Sequence, residues 1–236
     1  MTAPVTVAID GPSGSGKSTV SRRLASQLGL AYLDTGAMYR AATWWCRRQG
    51  LDLTAGQDVA AAVRAMPLEM GIDPARPSVV CDGVDITEEI RRSEISAVVS
   101  AVATNLDVRA ELRQRQRAII AAERRPGGFS QGRGIVAEGR DITTVVAPDA
   151  DVRILLTADE EARLARRARE LHGTADTATL AATRAEVVGR DARDSTVSTF
   201  LTAADGVVTI DSSRMDVEET VDVVARVVEQ AREGAL

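Results

Sequence analysis

Residues 5–19 read VTVAIDGPSGSGKST. Val5, Val7 and Ile9 alternate with Thr6, Ala8 and Asp10, which predicts a short strand. The run Gly11, Pro12, Ser13, Gly14, Ser15 and Gly16 breaks that pattern, and Lys17, Ser18 and Thr19 open a helical one. The result is G-x-x-x-x-G-K-S in a strand-loop-helix setting. A polyphosphate is a dense anion that has to be wrapped by donors without steric obstruction. Gly11, Gly14 and Gly16 let backbone N–H groups turn inward. The helix that follows presents the partial positive charge of its N-terminus. Residues 11–19 are therefore expected to bind nucleotide phosphates. Lys17 is expected to reach the β- and γ-phosphates, and the Ser18 hydroxyl to ligate the Mg²⁺ bridging them.

The chain has 236 residues, 44% of them hydrophobic, and a net charge of −5. That suffices for one sizeable core with appendages. No run approaches a membrane span, and no basic segment leads into an apolar signal core, so a soluble, cytoplasmic protein is expected. A negative chain is poorly suited to coating nucleic acid. An anionic substrate then needs a local cationic site. Cys46 and Cys81 lack metal-ligand spacing and read as reduced thiols. His172, the single histidine, reads as a surface residue in a polar loop. Lys17 is the one lysine among 29 basic residues. A guanine-reading N-K-x-D or T-K-x-D motif needs a second lysine downstream, which excludes a GTPase.

Outward from the first strand, residues 17–28 read as a helix, 31–33 as a strand ending at Asp34-Thr35-Gly36, and 37–49 as a second helix. Strand-helix-strand-helix order predicts a parallel sheet flanked by helices. Residues 50–65 read as a polar loop running into a helix. Leu68, Met70 and Ile72 then alternate with polar or small residues, and Asp82-Gly83 marks a hairpin, which predicts a small inserted antiparallel sheet. Helices are expected over 90–104 and 108–125, the second arginine-rich and mostly solvated. Strands follow at 135–138, 152–156 and 207–210, and helices at 159–171, 180–191 and 217–232.

Five strands ending beside polar clusters place those clusters at the carboxyl edge of one sheet, where open α/β sheets bind ligands. Arg40, Arg140, Arg190 and Arg193 accompany the clusters and suggest a second phosphate opposite the first. An acceptor that is itself a phosphate needs no general base. It needs alignment, and relief of the repulsion between two anions.

The runs IDGPSGSGKST, LDTGAMYRA, VSAVATNLDVR with a downstream RQRQR, AEGRDITTVV and GRDARDS occur in that order along essentially the whole chain. Together they resemble the bacterial cytidylate kinases, ATP-dependent enzymes of the nucleoside-monophosphate kinase group of phosphate-loop proteins. The resemblance implies a single three-layer α/β domain with a five-stranded parallel sheet. Its core would be residues 1–65, 105–171 and 201–236, with a CMP-binding insert at 66–104 and a helical lid at 172–200. It implies in-line transfer from MgATP to CMP or dCMP. Thr35, Arg40, Ser100, Arg109, Arg140, Asp141, Arg190 and Asp194 would surround the acceptor. Arg40 and Arg140 would hold its phosphate, while Ser100, Arg109 and Asp141 would read the cytosine edge. Lys17, Arg140 and Arg190 would carry the catalytic charge. Glu138 would stand near the Mg²⁺ waters, and Ser212, Ser213 and Arg214 near the adenine.

Two positions depart from that family. Thr143 stands where glycine is usual, so an altered local backbone is expected. Val197 stands where the lid usually carries an arginine, and Arg193, one helical turn earlier on the same face, is expected to replace it in part. The chain is expected to act as a monomer on small molecules, without nucleic acid or membrane. The rival readings are another small-molecule kinase of this fold and a nucleotide-dependent switch module.

Overall fold

The computed structural model describes residues 3–234, except the side chains of residues 171, 172, 177, 178, 182, 185 and 186. The expected surface position of the His172 side chain thus lies outside the described residues. Five strands, β1 (Val5–Asp10), β2 (Ala31–Asp34), β6 (Gly134–Gly139), β7 (Val152–Thr157) and β8 (Val208–Asp211), form a parallel sheet in the order β2-β6-β1-β7-β8. Central β1 is buried along its length, as strands covered on both faces are. Its alternation sends Val5, Val7 and Ile9 into one core and Ala8 into the other.

Helices α1 (Lys17–Leu28) and α9 (Val217–Arg232) cover the first face through Val20, Leu24, Val221, Val224 and Val228. On the second face, α2 (Thr35–Arg48), α3 (Gly56–Arg64) and α6 (Leu106–Glu123) bring Met38, Ala41, Val63 and Leu112. This is the expected three-layer architecture. Strands β3 (Leu68–Gly71), β4 (Ser78–Cys81) and β5 (Val84–Asp85) form the small antiparallel sheet, turned at Asp82-Gly83 with positive φ at both residues.

Three segments differ from expectation. Residues 90–104 are not one helix but a 3₁₀ turn at Glu89–Arg91, then α4 (Ser93–Ser96) and α5 (Val99–Ala103). The interruption lies at Arg92, whose backbone is extended (φ −62°, ψ 149°) and so cannot continue a helix from the 3₁₀ turn into α4. Asp141 leads into a π-helical turn, Ile142–Val146, in a stretch with no predicted element. Finally, after α7 (Glu160–His172), α8 runs Thr177–Asp194, so the charged run 190–194 closes that helix instead of following it.

Candidate active site

The loop after β1 is built from what a Cβ would obstruct. At Gly14 φ is +77°, and a side chain would collide with the Arg163 carbonyl. Gly16, with φ +89°, turns the chain into α1 as its N-cap. The Lys17 ammonium donates to the Pro12 carbonyl at 3.3 Å, folding the lysine back over the loop. Burial lowers its pKa, and the Arg140 and Arg190 guanidiniums push the same way against Glu138 and Asp191. Ser18 Oγ donates to Glu138 Oε1 at 2.7 Å, and the Tyr32 hydroxyl donates to the same oxygen at 3.3 Å. Burial and the nearby Asp34 carboxylate raise the Glu138 pKa. Ser18 and Glu138 offer oxygen alone, the donor chemistry that suits Mg²⁺, which keeps most of its waters and takes few protein ligands. Among the described residues no group of three or more His, Cys, Asp or Glu side chains could hold a metal ion.

Facing the loop is a cavity of about 420 Å³. Asp34 caps α2 by accepting from the Ala37 N–H at 2.8 Å, and its other oxygen takes Arg40 at 2.8 Å. Thr35 Oγ1 donates to the Glu138 carbonyl at 2.8 Å, tying the start of α2 to β6 at the sheet edge. Arg109 reaches Asp141 at 2.5 Å and the Ala103 carbonyl at 3.1 Å, with its guanidinium over the Tyr39 ring. Ser100 donates to Asp194 at 3.2 Å. Arg140 pairs with Asp191 at 2.7 Å and Asp194 at 3.2 Å, and its guanidinium lies 4.4 Å over the Phe200 ring. Arg190 Nε is buried without a hydrogen-bond partner, 3.6 Å from Asp194. Burial, followed by the charges of Arg140 and Arg40, pulls the Arg190 pKa down to about 10.

Seven of the eight predicted acceptor residues, Thr35, Arg40, Arg109, Arg140, Asp141, Arg190 and Asp194, line this cavity with Lys17 and Ser18. Ser100 stands behind them, buried against Asp194. A neighbouring cleft runs along the other side of the loop and is lined by Arg166, Ser212 and Ser213. Arg214 is exposed and is not among its lining residues. The shared face expected of Arg190, Arg193, Asp194 and Val197 does not form. The helix ends at Asp194, Val197 lies in the following turn, and Arg193 is exposed and outside the cavity lining.

Thr143 lies in the π-helical turn and is a buried hydrogen-bond partner of Asp10. Its N–H and hydroxyl donate to Asp10 Oδ2 at 2.8 and 2.6 Å, and the Ile142 N–H donates to Oδ1 at 2.9 Å. Sequence reasoning also missed Asp191, Arg163 and Arg166. Arg166 binds the carbonyls of Ser15 and Ser212 at 3.3 and 2.6 Å, joining the phosphate loop to the end of β8. The periodicity of EARLARRARE carried the signal for Arg163 and Arg166, which stand three apart and so face one way.

An anion-binding loop set against a crowd of guanidiniums, across the carboxyl edge of one parallel sheet, is the arrangement of a phosphate-loop kinase. The cytidylate kinase family profile matches residues 7–232. The chain belongs to the cytidylate kinase family. It is 48% identical to a cytidylate kinase of Nocardia farcinica over 96% of this chain and 94% of that protein. A cytidylate kinase of Streptomyces coelicolor is 46% identical over 99% and 96%, and one of Streptomyces avermitilis 43% identical over 97% and 94%.

Proposed function

We propose that the protein transfers the γ-phosphoryl group of ATP to CMP or dCMP, giving CDP or dCDP. The observation that carries the reading is the concentration of mutually repelling cations at the cavity. Burial first, then the charges of Arg140 and Arg40, pull Arg190 down to about 10, and burial lowers Lys17, with Arg140 and Arg190 adding to it. An anionic ligand relieves that repulsion, and a guanidinium's planar fork suits a phosphate. Residues 11–19 hold the ATP phosphates, with the adenine toward Ser212 and Ser213. Arg40, Arg140 and Arg190 hold the acceptor phosphate. Ser100, Arg109 and Asp141 read the cytosine, while Thr35 and Asp194 complete the pocket. Ser18 would hold Mg²⁺ with Glu138 near its waters, and the bound ion would supply charge neutralisation on the transferring group.

Lys17, Arg140 and Arg190 follow the charge as it moves to the leaving oxygen. Residues 66–104 act as the acceptor-binding insert and residues 172–200 as a lid over a core formed by the rest. Among the described residues no helix is long and apolar enough to cross a membrane. The protein works as a cytoplasmic monomer on small molecules.

The test is diphosphate formation with CMP, dCMP, UMP, AMP and GMP in turn, each at saturating MgATP. CMP and dCMP are the expected good acceptors. Buried polar groups left unpaired by the wrong base cost about 1–3 kcal/mol each, so purine monophosphates should be poor. Equal efficiency with AMP and CMP would sink the reading.

A further inference from the structure

Asp191 has no part in the roles above, yet it contacts Arg140, Ser13 and Arg163 beside the cavity. It lies close to the end of α8 and is 6% exposed. Its Oδ1 accepts from Arg140 Nη1 at 2.7 Å and from the Ser13 N–H at 3.3 Å. Its Oδ2 accepts from Arg163 Nη1 at 2.6 Å. Arg163 Nη1 also donates to the Ser13 carbonyl at 2.9 Å, so the backbone of Ser13 is gripped through both its N–H and its C=O. One carboxylate thereby joins four segments: α8, the end of β6, α7 and the phosphate loop.

Arg140 is held in a defined pose by these contacts. Nη1 is fixed by Asp191, Nε by Asp194, and the plane of the guanidinium by Phe200. Nη2 has no acceptor among the described residues, while Arg140 lines the cavity. A guanidinium with one edge anchored and the other available is prepared for an anion.

We propose that Asp191 is a positioning residue for phosphoryl transfer: with α8 seated, it sets Arg140 and the phosphate loop in one fixed relation, so that acceptor and donor phosphates meet in line. The proposal rests on the reading that Arg140 holds the acceptor phosphate. Two oxygens are needed because three donors from three segments converge on them. A carboxamide has one acceptor oxygen and would turn an NH₂ toward a guanidinium. Asp191 touches neither substrate in this scheme and acts through Arg140 and Ser13. Its loss should therefore appear in turnover more than in affinity.

The test is steady-state kinetics of Asp191→Asn, Arg163→Gln and the double variant, with CDP measured directly and folding checked by thermal melting. A misplacement of about 1 Å costs on the order of a hundredfold in rate. Asp191→Asn should accordingly lower kcat about a hundredfold while the KM values for CMP and ATP change less than about fivefold. Arg163→Gln should act in the same direction, and the double variant should be no worse than the poorer single one, because both break one linkage. A kcat within threefold of the parent in folded Asp191→Asn would overturn the proposal, as would multiplicative losses in the double variant. Should Asp191→Asn fail to fold, Arg163→Gln decides by the same criterion, since it leaves the Asp191–Arg140 pair in place. A parent that forms no CDP overturns the acceptor reading and the proposal together. A parent that forms CDP at a rate matched by Asp191→Asn overturns the proposal alone.

Discussion

At the scale of single residues, Arg109 and Asp141 form a buried ion pair in the wall of the cavity. Both side chains are under a tenth exposed, so neither charge is solvated enough to stand alone. Removing one partner of such a pair costs about 3–5 kcal/mol, chiefly because the other is left buried and uncompensated. Asp141→Ala should therefore lower thermal stability and raise the KM for CMP at least tenfold while that for ATP stays within threefold. Equal shifts in both KM values would show that Asp141 does not face the acceptor. Lys17 is the opposite case, a cation whose burial already disfavours its charge. Lys17→Met should leave the melting temperature unchanged or higher while kcat falls by about three orders of magnitude, and near-normal turnover would remove the phosphate-loop assignment. Lys17, Arg40 and Arg140 were legible because fixed motif spacing ties each to a glycine or a strand end. Asp191 and Asp10 were not. Their partners are 51 and 133 residues away, and nothing local distinguishes a carboxylate that bridges arginines from one that faces solvent.

At the scale of elements, the π-helical turn after Asp141 is what the motif reading could not supply. The Val145 and Val146 N–H groups both donate to the Asp141 carbonyl, at 2.9 and 3.0 Å, so the turn tightens directly on the residue that pairs with Arg109. Asp10 clamps its first two residues, and Asp10 immediately precedes the phosphate loop. The hydroxyl of Thr143 is a buried bond to a carboxylate, worth roughly 1.5–3 kcal/mol. Thr143→Val, which keeps the volume and loses the hydroxyl, should destabilise the protein by about that amount in urea unfolding; Thr143→Ser should recover most of it. A Val variant as stable as the parent would reduce the hydroxyl to a spectator. The parallel strands and α1 were legible from periodicity alone, because each buries a continuous apolar face. The break in 90–104 lies in the extended backbone of Arg92, which no hydrophobic periodicity marks. The end of α8 was misplaced because polar, charged residues normally signal a loop. Here Arg190, Asp191 and Asp194 stay helical by pairing with α7, β6 and one another.

At the scale of the molecule, acid should separate activity from stability, because the site holds carboxylates shifted in opposite directions. Burial tends to push Asp34 and Asp191 upward, but Arg40 and the Ala37 N–H outweigh it at Asp34, and Arg140, Arg163 and the Ser13 N–H outweigh it at Asp191. Both stand below the ordinary carboxylate range. A lowered folded pKa contributes stability that is fully present above the unfolded value, about 3.9 for Asp, and is lost only as pH falls through the lower folded value. Glu138 is shifted the other way, by burial and by Asp34. It takes up its proton in the folded protein at a higher pH than in the unfolded chain, so protonation there favours the fold. A protonated Glu138 no longer offers a carboxylate beside Ser18. As pH is lowered, kcat should therefore fall first, with the melting temperature flat or rising, and these pairs should begin to fail only below about pH 3.9. Substrate phosphates titrate near pH 6, at about the second pKa of a phosphate ester, so the comparison is with Glu138→Gln. That variant should be slow and keep only the substrates' limb of the profile, while the parent shows a further limb at lower pH. Rates at saturating CMP and MgATP and melting temperatures, measured on both proteins across the same pH series, decide the matter: a parent whose rate and melting temperature decline together, or a Glu138→Gln profile that matches the parent's in shape, would show that Glu138 does not set the acid limit.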